Sequence, residues 1–150
     1  MAYRTITQRC ATIVQDEARC GTGKTIKPGY LVEFWSDGGV KALCAHRIAG
    51  GNASPIFAIE DELQGKDTAD SYTAGKNVPV RTFRSGDLVA ALVPTGQTIT
   101  IGMKLESVGD GTLTEYGVST PSGGELDAWV ASSEVDVVTT AEQLVLVRIR

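Results

Sequence analysis

Thr98-Ile99-Thr100-Ile101-Gly102-Met103-Lys104-Leu105-Glu106-Ser107 decides the fold class. Ile99, Ile101, Met103 and Leu105 share one parity, while Thr98, Thr100, Lys104 and Glu106 share the other. Apolar and polar residues alternating with a period of two describe a β-strand with one face on a core and one in water. Gly109-Asp110-Gly111 follows, and Thr112 to Tyr116 resumes the pattern, so the spacing predicts a hairpin.

Strand signals continue on both sides of this segment. Tyr30 to Trp35 leads into Ser36-Asp37-Gly38-Gly39 and returns from Val40 to His46, a second hairpin whose Asp-Gly step suits a tight turn. Val78–Phe83 and Asp87–Val93 read as further strands, and Leu88 to Val93 is apolar on both parities, which predicts cover on both faces. Val130–Val138 is expected to pair with Leu144–Arg150 across Thr139–Gln143, with the charged last strand at a solvent-facing edge. Helix signals reduce to Asp61-Glu62-Leu63-Gln64 closed by Gly65, about one turn. Gly65 to Gly75 is polar and reads as a surface loop. No segment sustains a 3.6-residue period, which excludes crossover helices on a parallel sheet. The chain is all-β.

One phrase occurs twice. Lys27-Pro28-Gly29-Tyr30-Leu31-Val32 matches Arg84-Ser85-Gly86-Asp87-Leu88-Val89, 57 residues apart, each with a turn glycine ahead of a buried strand. Two copies fall short of the ~3 units a repeat protein needs, so shared turn chemistry accounts for them.

At 150 residues the chain fits one domain, and 42% hydrophobic residues supply a core. Seventeen glycines, against an ordinary share of ~7%, lie singly or in pairs between apolar runs, as in a chain that reverses many times. The net charge of −4 and the scattered Lys and Arg residues leave no basic face for nucleic acid. The first twenty residues hold no apolar run behind a basic start, so no secretory leader is expected. No run approaches membrane-spanning length.

Reactive motifs dissolve on inspection. Gly21-Thr22-Gly23-Lys24-Thr25 evokes a phosphate-binding loop, but Ala18 stands where its first glycine belongs and Pro28-Gly29 stops any helix. It remains the basis of one alternative, a phosphate-binding protein using Lys24. Cys10, Cys20, Cys44 and His46 are spaced unlike zinc knuckles, so neither a metal nor another cofactor is expected. His46 is the sole histidine, which leaves a nucleophile without a base, and Glu60-Asp61-Glu62 reads as a solvated acidic loop. Asn52-Ala53-Ser54 fits the glycosylation sequon, yet Pro55 follows and no secretion signal accompanies it. Aromatic residues make up 6% and do not cluster as the lining of a ligand barrel would. No catalytic residue is assigned.

Several phrases together resemble the capsid decoration, or cement, proteins of tailed bacteriophages. They are Pro55-Ile56-Phe57-Ala58-Ile59-Glu60-Asp61-Glu62-Leu63-Gln64-Gly65-Lys66, Tyr72-Thr73-Ala74-Gly75-Lys76-Asn77-Val78, Gly86-Asp87-Leu88-Val89-Ala90-Ala91-Leu92 and Leu105-Glu106-Ser107-Val108-Gly109-Asp110-Gly111-Thr112-Leu113. The closing Leu146-Val147-Arg148-Ile149-Arg150 is similar to the family's endings, and the likeness spans about residues 28 to 150. Pro121-Ser122-Gly123-Gly124 and Trp129 depart from it. The resemblance implies a compact β-barrel-like or β-tulip domain over residues 1–150, with at most one or two helical turns. It implies a homotrimer made in the host bacterial cytoplasm and bound to the major capsid protein on the outer face of the virion. Neither nucleic acid nor membrane is a partner in that reading, and a tail or head-fibre base component is the structural alternative. Residues 1–20 are either an arm lying on the capsid or the first strand of the domain. Tyr3, Arg4, Ile6, Arg9, Ile13 and Val14 are the candidate capsid contacts.

Overall fold

The structure, a computed structural model, describes residues 3–121 and 128–150. Ser122, Gly123 and Gly124 of the departing loop fall outside them. Along the chain run β1 (Thr7–Arg9), β2 (Val14–Cys20), β3 (Thr25–Ile26), β4 (Val32–Asp37), β5 (Val40–Ala45), β6 (Ile56–Ala58), β7 (Tyr72–Thr73) and β8 (Asn77–Thr82). There follow β9 (Leu88–Val93), β10 (Thr98–Ile99), β11 (Lys104–Ser107), β12 (Leu113–Glu115), β13 (Ala131–Ser133), β14 (Val137–Val138) and β15 (Gln143–Ile149). The only helical turn among the described residues is a 3-10 turn at Glu62–Gln64, ended by Gly65 in the left-handed conformation, as the sequence predicts.

Two sheets carry the fold. One has six strands in the order β1-β9-β15-β13-β11-β12, and the other has five in the order β4-β5-β2-β8-β6. Arg19↔Ala42 and Cys20↔Leu43 make β2 and β5 parallel, and the other pairs are antiparallel. The five-stranded sheet curls until its ends touch at one bridge, without closing into a barrel. Leu31 bridges Phe57, the Ala58 N–H donates to the Tyr30 carbonyl at 3.0 Å, and the Gly29 N–H donates to the Ala58 carbonyl at 2.9 Å. Inside this barrel-like curl lie Cys20, Ile26, Val32, Leu43, Val78 and Val80. A larger core packs Val89, Leu105, Val145 and Val147 of the six-stranded sheet against Phe57 and Phe83. The two cores share β6, because alternation sends Phe57 into one and Ala58 into the other.

The expected hairpin of β4 and β5 forms, but the strand runs two residues further than the Ser36–Gly39 turn implied, pairing from Val32↔Ala45 to Asp37↔Val40. Its turn is Gly38-Gly39, with φ of 62° and 85°, and Asp37 stays in the strand. A two-residue turn with both central residues at positive φ needs glycine twice. β9 is covered on both faces. Its odd residues enter the larger core, and Lys27–Tyr30 lies over Ala90 and Leu92, with the Leu92 N–H donating to the Gly29 carbonyl. Gly29 has φ of 92°, and a Cβ there would stand 2.6 Å from Leu144 Cδ2 and 3.3 Å from the Ala90 carbonyl oxygen. Gly29→Ala should therefore cost about 1–2 kcal/mol through the left-handed backbone alone, read as a lower urea midpoint with an unchanged slope.

Three strand expectations are corrected. Thr98 to Ser107 is two strands, because Thr100–Met103 is a β-turn in which the Met103 N–H donates to Thr100 and Gly102 takes φ of 81°. Ile101 sits at its tip and is 66% exposed, while Glu106, placed in water by parity, is fully buried. Val130–Val138 is not one partner of the tail. β13 pairs with β15, but β14 pairs with β10. The last strand is also no edge, since β15 lies between β9 and β13. Arg148 is accommodated by reaching sideways to Glu134 and the Gly86 carbonyl.

Candidate functional site

The six N-terminal residues scatter. Ile6 is fully buried in the larger core, with its N–H donating to Glu60 Oε2 at 3.0 Å, so it is no surface contact. Arg9 belongs to β1, pairs with Leu88 and donates from Nη2 to the Gly86 carbonyl. The Tyr3 carbonyl accepts the Thr68 hydroxyl, and Arg4 is exposed. Ile13 and Val14 remain free at 65% and 43% exposure. Of the two readings of this segment, the strand describes Thr7–Arg9, because β9 offers it a paired edge and Ile6 has a core to enter.

Gly21–Thr25 does not cradle phosphate. The Lys24 N–H closes a turn on the Gly21 carbonyl, and Thr25–Ile26 is β3, so no helix dipole points at the loop. The Thr22 N–H and hydroxyl both donate to Asp37 Oδ2, which puts a carboxylate where an anion would bind. Lys24 lies over the Trp35 ring. Nothing in this geometry supports the phosphate-binding alternative.

His46 and the thiols are separately engaged. Nδ1 of His46 lies 2.7 Å from the Ser107 hydroxyl and Nε2 lies 3.2 Å from the Asn52 carbonyl oxygen. Burial pushes the Cys20 and Cys44 thiols up, and Glu33 adds to the effect at Cys44, so neither is an activated nucleophile. No three metal-binding side chains gather among the described residues.

Carboxylates instead hold loops. Glu106 accepts the N–H groups of Gly117 and Ser119, Asp136 accepts that of Ile101, and Asp87 accepts those of Ala11 and Arg84. Parity hides Glu106 from sequence reading, whereas the Gly86-Asp87 step ahead of a strand was a usable signal. The Thr22 backbone and hydroxyl hold Asp37 below the usual carboxylate range, and the Lys41 ammonium does the same for Asp16. A lowered folded-state pKa gives stability that is complete above the unfolded value of ~3.9 and lost as pH falls through the folded one. Unfolding midpoints in urea should therefore hold steady at neutral pH and decline as pH drops below about 4.

Open grooves mark the surface of the described residues. A polar groove of about 590 Å³ runs past Asp61, Gln64, Lys66, Asp70, Lys76 and Asn77. A second, of about 280 Å³, follows the open seam between β4 and the approach to β6. Ile101, Val118 and Val138 are exposed apolar residues, and Trp129 is flanked by Lys104 and Arg150 at 5.2 and 4.9 Å.

These features define an all-β block whose polar side chains brace its own loops. Among solved structures the chain is similar to the head fibre gp8.5 N base of bacteriophage phi29, with a TM-score of 0.58 over 93% of this chain and 95% of that one. Identity is 15%, so the likeness is one of fold. No protein-family model matches the sequence, and no curated protein does.

Proposed function

We propose that this chain is a structural protein of a phage head, carried on the outside of the capsid as the base of a head fibre. The observation that carries the reading is the fold correspondence with the phi29 head-fibre base over nearly the whole of both chains. The inward placement of Glu106, His46, Cys20 and Cys44 fits it, since a scaffold needs rigidity. In this reading the partner is the major capsid protein, and three copies assemble so that modest contacts add through effective concentration. It calls for no cofactor and no catalysis.

A decoration protein is the second reading, favoured by the phrases from Pro55 to Leu113 quoted above. Binding assembled shell and not free subunits would stabilise the lattice by linkage. Mixing purified protein with heads that lack it and imaging the particles tests both. A fibre base gives sparse, outward-projecting density at fixed lattice positions, and a decoration protein gives near-complete coverage. Heads that stay bare across a range of salt concentrations refute both.

A further inference from the structure

The seam of the five-stranded sheet is zipped only at its lower end. Beyond the Leu31–Phe57 bridge the chain preceding β6 is drawn to the other sheet, where the Gly50 N–H donates to the Ser107 carbonyl and the Ala128 N–H donates to the Gly50 carbonyl. The Ile56 N–H turns back onto the Ser54 carbonyl. β4 is therefore left as an edge strand.

Which main-chain groups face outward follows from the hairpin. The His46 N–H donates to the Leu31 carbonyl, and Asp37 and Val40 flank a two-residue turn, so odd-numbered residues of β4 bond to β5. The N–H and C=O groups of Phe34 and Ser36 point away from the sheet and have no partner among the described residues. Donors and acceptors alternating at this spacing are matched by the main chain of another extended strand. Natural edges are blunted with proline, lysine or bulges. β4 holds neither proline nor lysine, its two acids Glu33 and Asp37 are paired with Arg47 and Arg19, and its register is unbroken.

The surroundings indicate what the added strand carries. The groove beside the edge is mixed, lined by Val32, Phe34, Ala53 and Ile56 and with Glu33 and His46 among its polar lining. Arg47 and Lys24 both lie over the Trp35 ring at 5.6 Å. Arg47 is paired with Glu33, but Lys24 has no ion-pair partner among the described residues. An acidic residue flanking the strand would complete it.

We infer that Phe34–Ser36 is a docking edge, and that an extended, acid-flanked strand of the capsid shell protein adds to this sheet as its sixth strand. The inference rests on the head-surface reading above. Ser36→Pro tests it, because it deletes one outward N–H and leaves every bond to β5 in place, a change that edge strands tolerate. Ser36→Ala keeps the N–H and serves as control. Co-sedimentation with heads lacking the protein should show Ser36→Pro weakened about tenfold or more, Ser36→Ala unchanged, and both variants with wild-type circular dichroism. Ser36→Pro binding like wild type overturns the docking edge while leaving the head-surface reading intact. Wild type that fails to bind overturns both. If Ser36→Pro does not fold, hydrogen exchange of the wild type decides: amide protection gained over residues 32–37 on heads supports the edge, and unchanged exchange there refutes it.

Discussion

Phe57→Ala is expected to lower the unfolding free energy by about 3–5 kcal/mol, the largest loss from any single truncation considered for this chain. Phe57 is fully buried, and its ring meets Phe83 edge-on with centroids 5.9 Å apart. The residue also bridges Leu31 where the curled sheet joins its own ends, between one core and the other. Truncation leaves a cavity in the larger core at the point where that seam is held. For a chain of this size the melting temperature should fall by roughly 10 °C. Ile101→Ala, at the exposed turn tip, should stay within about 0.5 kcal/mol. Chemical denaturation of the two variants side by side checks the contrast, and a Phe57→Ala loss below about 1 kcal/mol would show that the core is not organised around this ring.

Asp87→Ala should cost roughly 2–4 kcal/mol, because it strands two main-chain donors at once. Oδ1 accepts the Ala11 N–H at 2.9 Å, and Oδ2 accepts the Arg84 N–H at 2.8 Å. The side chain thus ties the link between β1 and β2 to the turn that enters β9. Burial raises the Asp87 pKa, but the N–H groups of Arg84 and Ala11 and the Cys10 thiol outweigh it, and the net direction is down. Its stabilisation is therefore present at neutral pH and lost as pH falls through the folded value. The gap between wild type and Asp87→Ala should be widest near pH 7 and narrow below about pH 4. Urea midpoints measured across that range check it, and a gap independent of pH would mean that the ionised carboxylate is not the source.

The same carboxylates show where reading the chain alone stops. Gly86-Asp87 before an apolar run already indicated a turn into a buried strand, and the twin phrase at Gly29 indicated another. The structure gives Gly86 and Gly29 φ of 90° and 92° and the same hydrogen-bonded turn. Glu106 was not legible, because a polar residue at the solvent parity of a strand looks ordinary until a loop from Gly117 to Ser119 folds over it. Ile6 was misread for the opposite reason. An isolated apolar residue in a polar segment carries no periodicity, and only the Glu60 carboxylate and the larger core assign it to the interior. The open edge at Phe34–Ser36 was invisible as well, since it depends on Gly50 being held at the other sheet.

By itself the sequence determined the all-β class, the existence of the hairpin of β4 and β5, the double cover of β9 and the single helical turn at Glu62–Gln64. Each of these follows from neighbours a few residues apart: side-chain alternation, glycine at positive φ, and the absence of a helical period. Tertiary structure alone decided that β15 is central, that β14 leaves β13 to join β10, that the five-stranded sheet curls almost shut, and where it stays open. Those outcomes depend on pairings between segments far apart in the chain, and alternation records which face of a strand is buried without naming its partner.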